Sequence, residues 1–94
     1  MTSAEYVDCT GLPAGSRVDV ETKNRHYQIE CLGEGAIRIS GHPDYCPTPM
    51  PGRFVDPLIE RGRHLQFLLD RRPVTTSRVV KVRVERPKSP VSIH

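Results

Sequence analysis

The chain has few of the residues that build a large core. Tryptophan is absent, and Phe and Tyr together supply only 5% of the 94 residues. Val, Ile and Leu must therefore provide the burial, at roughly 25 cal/mol per Å² of apolar surface removed from water. A small aliphatic core leaves little volume for a deep active-site cavity, and we expect a stability on the order of 5–10 kcal/mol.

Long hydrophobic runs and paired cysteines are also missing. No stretch approaches the ~18 consecutive apolar residues of a membrane span, and the N-terminal residues lack the basic start and apolar run of a signal peptide. Cys9, Cys31 and Cys46 contain no CxxC pair and are too few for a secreted disulfide scaffold. These absences predict a cytoplasmic protein with reduced thiols and no membrane partner.

Motifs of nucleotide-binding and hydrolytic enzymes do not occur. The chain has neither GxGxxG nor GxxxxGK[ST], and no helix follows its glycine pairs to offer an N-terminus to phosphate. No carboxylate lies in the apolar setting that a general acid of the glycosidase type requires. We therefore predict a protein that is not an enzyme and carries no cofactor.

What the chain does contain is a period-two alternation of apolar and polar residues, typical of strands with one buried face. The alternation runs through five stretches, at 17–21, 25–32, 36–40, 58–70 and 74–86. The side chains predicted to face inward are Val18, Val20, Tyr27, Ile29, Cys31, Ile37, Ile39, Leu65, Phe67, Leu69, Val80, Val82 and Val84.

Helical apolar stripes are nearly absent, and turn residues separate the stretches. Residues 22–24 are polar and suit a hairpin turn, and the glycines of 33–35 allow a tight turn with positive φ. The pattern predicts an all-β protein, a small five-stranded antiparallel SH3-like barrel or strongly bent sheet. We expect this domain to span 16–86, with 1–15 as a loosely ordered lead-in and 87–94 as a flexible tail.

Residues 40–57 interrupt the alternation with a proline-rich stretch. Because proline cannot donate to a sheet ladder, we predict one long loop here rather than a central strand. Proline also restricts the loop to extended conformations, so the loop would lose little entropy on docking. Its large side chains, Tyr45, Met50 and Phe54, are the candidates for contact with a partner, or else for a lid over one end of the barrel.

The same loop contains the candidate metal ligands His42, Asp44 and Cys46, which lie at alternate positions. Zinc usually takes about four nitrogen or sulfur ligands from paired motifs, and none of these motifs is present. His42 and Cys46 also have the residue types of a thiolate–imidazolium nucleophile. A domain of this size offers little room for the substrate pocket that catalysis needs, so a zinc-binding domain is the minor alternative and catalysis is not expected.

Positive charge is concentrated in the second half of the chain. Residues 1–47 carry seven acidic and four basic side chains, whereas residues 48–94 carry four acidic and ten basic ones. Small barrels bind nucleic acid through basic grooves with stacking aromatics, although few aromatics lie near these bases. The candidate anion-binding residues, assigned to the last hairpin, are Arg61, Arg63, Arg71, Arg72, Lys81 and Arg83.

These observations lead to one main hypothesis and one alternative about function. The main hypothesis is a small interaction or structural module whose stiff loop and outward-facing Leu68 contact a protein partner or a second copy of the chain. The alternative is a barrel that binds RNA or DNA through the Arg-rich C-terminal hairpin.

Overall fold

The computed structural model describes residues 2–44 and 46–87, and in this part of the chain it contains strands and no α-helix. The strands are β1 (Thr2–Ala4), β2 (Tyr6–Asp8), β3 (Arg17–Thr22), β4 (His26–Gly33), β5 (Ala36–Ser40), β6 (Met50–Phe54), β7 (Leu58–Glu60), β8 (His64–Leu69) and β9 (Arg72–Glu85). The all-β prediction is confirmed, but five strands were too few. No helix of the described residues is long and apolar enough to cross a membrane.

The main sheet closes into a ring of antiparallel pairs. Its strands follow the order β9, β3, β4, β5, β6 and β8, and β8 pairs again with β9. Closure is possible because β9 has two partners along its length: residues 72–78 pair with β8 and residues 79–85 with β3. β1 extends the sheet along β9, and β2 and β7 form a separate two-stranded sheet. A closed ring leaves few unpaired strand edges.

A bulge lies where β9 changes partner. Thr22 pairs with Val79, but the preceding Glu21 pairs with Lys81, so Val80 has no partner on β3. Val80 is consequently turned outward and is 42% exposed, while Val79 is buried. The prediction that Val80 faces inward is wrong, because a bulge shifts the alternation by one residue.

The predicted inward faces of the other stretches form the core. Tyr27 and Phe67 meet there edge to face, with ring centroids 6.0 Å apart, an arrangement that aromatic pairs prefer. Val84 is half-buried and packs against the core. The other predicted residues that the structure buries are Val18, Val20, Ile29, Cys31, Ile37, Ile39, Leu65, Leu69 and Val82.

Two short strands lie within 2–15, the segment expected to be a lead-in, and both pair with later strands. β1 pairs with β9, β2 pairs with β7, and the side chains of Val7 and Cys9 are buried. Cys9–Gly11 form a 3₁₀ turn, which the Asp8 carboxylate caps by accepting the Thr10 N–H at 3.0 Å. Of the predicted tail, residues 88–94 lie outside the described residues.

The proline-rich stretch contains a strand that the sequence did not predict. β6 pairs with β5 on one side and with β8 on the other, so the expectation of a loop throughout 40–57 is wrong for Met50–Phe54. Pro51 fits because the pairing with β8 begins only at Gly52. Pro51 lacks an N–H, but no hydrogen bond between β6 and β8 is lost at this position.

Gly41 and Gly52, both in the proline-rich stretch, lie where two backbones approach closely. A Cβ on Gly52 would lie 2.6 Å from the Leu68 carbonyl oxygen of β8. A Cβ on Gly41 would meet the His26 carbonyl oxygen even more closely, and Gly41 also has a φ of 127°. Backbone atoms cannot move away as a flexible side chain can, so both positions require glycine.

We therefore expect Gly41→Ala and Gly52→Ala each to lower the free energy of unfolding by about 2–4 kcal/mol, because each added methyl forces two strands apart. Urea denaturation of the purified variants measures this loss. Gly11→Ala is the control, since a Cβ there meets nothing within 4 Å and should change stability by less than about 0.5 kcal/mol. Equal stability of the Gly11 and Gly52 variants would contradict the close-approach argument.

Candidate functional site

The candidate metal ligands lie in a tight loop that its own hydrogen bonds close. The Gly41 N–H donates to the Cys46 carbonyl at 2.9 Å, and the Cys46 N–H donates to the His42 carbonyl at 3.0 Å. The Asp44 N–H donates to Nδ1 of His42 at 3.1 Å. Cys46 is fully buried in the core, whereas Asp44 is exposed. The described residues contain no group of three or more side chains placed to bind a metal.

Burial also determines the chemistry of Cys46. Removal from water raises the pKa of its thiol, and a hydrogen bond from the His42 backbone opposes this only in part. A raised pKa keeps the thiol protonated near neutral pH, and the thiol is a much weaker nucleophile than the thiolate. The arrangement fits a packing role for Cys46 better than a nucleophilic one.

Two of the three predicted contact residues of the loop lie in a strand. Met50 and Phe54 belong to β6, are half-buried and pack against the core. Leu68 is half-buried as well and pairs with Arg53 of β6. Tyr45 lies outside the described residues. The two described candidates thus contribute to the packing of the core.

The six candidate basic residues do not share one hairpin. Arg61 and Arg63 precede β8, Arg71 and Arg72 lie at the turn between β8 and β9, and the remaining two lie on the half of β9 that pairs with β3. Four of the six have acidic neighbours, in the pairs Arg61–Glu5, Arg63–Glu60, Lys81–Glu21 and Arg83–Asp19. The first two pairs are salt bridges of 3.3 Å, and the last two are cross-strand neighbours. These acids reduce the positive potential of the region.

A row of alternating charges crosses the outer face of the ring. Glu85 of β9 pairs with Arg17 of β3, Arg17 pairs with Glu30 of β4, and Glu30 pairs with Arg38 of β5. Arg38 and Glu30 form a salt bridge of 3.0 Å. Opposite charges at directly paired positions attract, by roughly 0.2–1 kcal/mol each. The row is therefore a stable arrangement of four charges on rigid strands.

This row lines a groove with a volume of about 510 Å³. Pro49, in the loop before β6, forms part of its wall. The other polar residues that line the groove are Asp19, Gln28 and Ser40. The alternation pattern assigns most of these residues to the outer face, but the sequence does not reveal the register that aligns them. We define these residues, with the charged row, as the ladder groove.

The raised pKa of the Cys46 thiol predicts how the stability of the fold depends on pH. The folded thiol keeps its proton above pH 9.0, where the unfolded thiol begins to lose it. Its contribution to stability is therefore complete below that pH and is lost as the pH rises toward the raised pKa of the folded state. Between about pH 9 and pH 10, we expect the wild type to lose up to about 1 kcal/mol more stability than Cys46→Ala, measured by urea denaturation. Parallel curves would show that the folded thiol ionises normally.

The chain was compared with family models, curated proteins and solved structures. No family model matches this chain, and comparisons with curated proteins and with solved structures likewise find no match.

Proposed function

We propose that this protein is a small non-enzymatic binding module, and that the ladder groove binds a segment of a partner protein that carries both acidic and basic side chains. The observation that supports this most directly is the alternating row of Glu85, Arg17, Glu30 and Arg38 inside a groove. A closed ring of short antiparallel strands, which we propose to be an SH3-like barrel, would hold these charges in place before a partner arrives. Such preorganisation lowers the entropic cost of binding.

The charges of the groove favour a protein ligand over a nucleic acid. Asp19, Glu30 and Glu85 bring three carboxylates against the two guanidinium groups of Arg17 and Arg38. A nucleic acid backbone carries a dense row of negative charge, which these carboxylates would repel. A protein segment with charges of both signs can place a cation beside each carboxylate and an anion beside each guanidinium, and such complementarity gives specificity.

The groove charges are also free to exchange partners at little cost to the fold. In the Arg38–Glu30 salt bridge the two side chains are 49% and 36% exposed. Solvent screens pairs of this kind, so they typically contribute only about 0–1 kcal/mol to stability. A ligand that replaces one half of the pair would therefore not destabilise the barrel.

The test uses peptides selected against the wild-type protein from a random phage-displayed library, with affinities measured by fluorescence anisotropy. Because the proposed contact depends on the order of charges, the double variant Arg38→Glu, Glu30→Arg should weaken the selected peptides about tenfold or more. The exchanged pair can still form a salt bridge, but position 30 then faces Arg17 with a like charge, so we expect the melting temperature to fall modestly while the circular dichroism of the fold persists. We expect the selected sequences to carry both acidic and basic residues.

The matched control is the exchange Arg63→Glu, Glu60→Arg, which reverses a salt bridge outside the groove and should not alter peptide affinity. Equal binding by both double variants would contradict the proposal. Labelled single-stranded RNA and duplex DNA at ~50 mM salt test the alternative, because phosphate contacts are strong at low salt. Tight nucleic acid binding that Arg71→Gln and Arg72→Gln abolish would support the alternative instead. Sedimentation of the free protein tests whether a second copy is the ligand.

A further inference from the structure

A second pocket, separate from the ladder groove, lies at the end of the ring next to the turn between β4 and β5. The 3₁₀ turn Cys9–Gly11, the tight turn at 33–35 and the side chains of Phe54 and Pro57 line it, and its volume is about 330 Å³. Two cysteines from distant parts of the chain, Cys9 and Cys31, also line this pocket. Neither the charge row nor the proposed function uses them.

The side chains of Cys9 and Cys31 line the same pocket and lie close enough for each thiol to shift the pKa of the other. The backbone holds each of them in place: the Cys9 N–H donates to the Pro57 carbonyl at 3.0 Å, and the Cys31 N–H donates to the Ser16 carbonyl at 2.8 Å. Cys9 is 7% exposed and Cys31 is 4% exposed. Both are therefore protected from large molecules, while the pocket beside them has room for a small solute.

The contact makes the two thiols unequal. A hydrogen bond from the Cys9 thiol lowers the pKa of Cys31, although burial and the nearby Glu30 carboxylate raise it. The same contact, together with burial, raises the pKa of Cys9. Cys31 is thus the better thiolate and Cys9 keeps its proton, which is the division of roles between an attacking and a resolving cysteine.

We propose that Cys9 and Cys31 are a redox modification site, which a peroxide entering the pocket converts to a reversible intrachain disulfide. The Cys31 thiolate attacks one peroxide oxygen, the O–O bond breaks, and the products are a Cys31 sulfenic acid and hydroxide. The Cys9 thiol then attacks the sulfenic sulfur, the S–O bond breaks, and water leaves as the disulfide forms. An external dithiol reverses the reaction and is itself oxidised to a disulfide.

Formation of the bond requires a modest movement. The two sulfurs must approach to about 2.05 Å. Cys9 belongs to a three-residue turn rather than to the closed ring, so that turn can shift without breaking the ring. The new bond would connect the N-terminal segment to β4.

Cys46 provides an internal control for this reaction. It adjoins the opposite end of β5 from the pocket, because Gly41 follows that strand and its N–H bonds the Cys46 carbonyl. Its side chain is fully buried, and burial raises the pKa of its thiol. Cys46 should therefore remain a free thiol under conditions that oxidise the pair.

The test treats the reduced full chain with a small excess of hydrogen peroxide and follows the intact mass, the thiols that N-ethylmaleimide alkylates after denaturation, and the far-ultraviolet circular dichroism. We expect the mass to fall by two hydrogen atoms and the alkylated thiols to fall from three to one. The β signal should persist, and the melting temperature should rise by about 5–10 °C, because the crosslink restricts the unfolded chain. Dithiothreitol should reverse every change.

Peptide mapping of the oxidised wild type decides the outcome without relying on any variant. A crosslinked peptide that contains Cys9 and Cys31 supports the proposal, and Cys46→Ser should give the same peptide. Cys9→Ser should instead leave Cys31 to gain oxygen. Three alkylated thiols after treatment, a bond that includes Cys46, or loss of the β signal before the bond forms would each overturn the proposal.

Discussion

The rest of the structure depends on the division of β9 between two neighbours. Its first half completes a hairpin with β8, its second half pairs with β3, and the bulge at Val80 lies where the partners change. Because β9 pairs with both β3 and β8, it joins the two ends of the sheet. Closure matters for a chain without tryptophan, because short aliphatic side chains fill a core only when inward faces surround it on several sides.

Closure also determines where the charges lie. Glu85 belongs to the last strand and Arg17 to the first strand of the ring, and they become neighbours only because β9 returns to β3. The same pairing places Lys81 and Arg83 beside acidic residues of β3. The Arg-rich second half of the chain therefore does not become a uniformly positive surface. The register of the strands instead places basic and acidic side chains side by side, so the surface carries charges of both signs.

The composition of the proline-rich stretch predicts a loop, but part of the stretch is a strand that packs against the core. Part of it is β6, whose Met50 and Phe54 pack against the core, and part of it contributes Pro49 to the wall of the ladder groove. The closed loop at 42–46 holds a buried cysteine rather than a cluster of ligands. This stretch therefore contributes both to the packing of the core and to the wall of the groove.

The sequence by itself determined the class of the fold and most of the core. Alternation with a period of two is a local property, so residues such as Ile37 and Ile39 could be assigned inward and Arg38 outward without knowing any partner strand. The glycines at 33–35 likewise predict their turn, since all three residues there have positive φ.

Only the tertiary structure decided register and proximity. The bulge that turns Val80 outward, the pairing of β6 on both sides, the charge row and the contact between Cys9 and Cys31 all depend on which distant segments become neighbours. Local pattern cannot supply this information, because the same alternation is compatible with several partners and a slip of one residue reverses every assignment. Long-range pairing energies choose among those partners, and they act only in the folded chain.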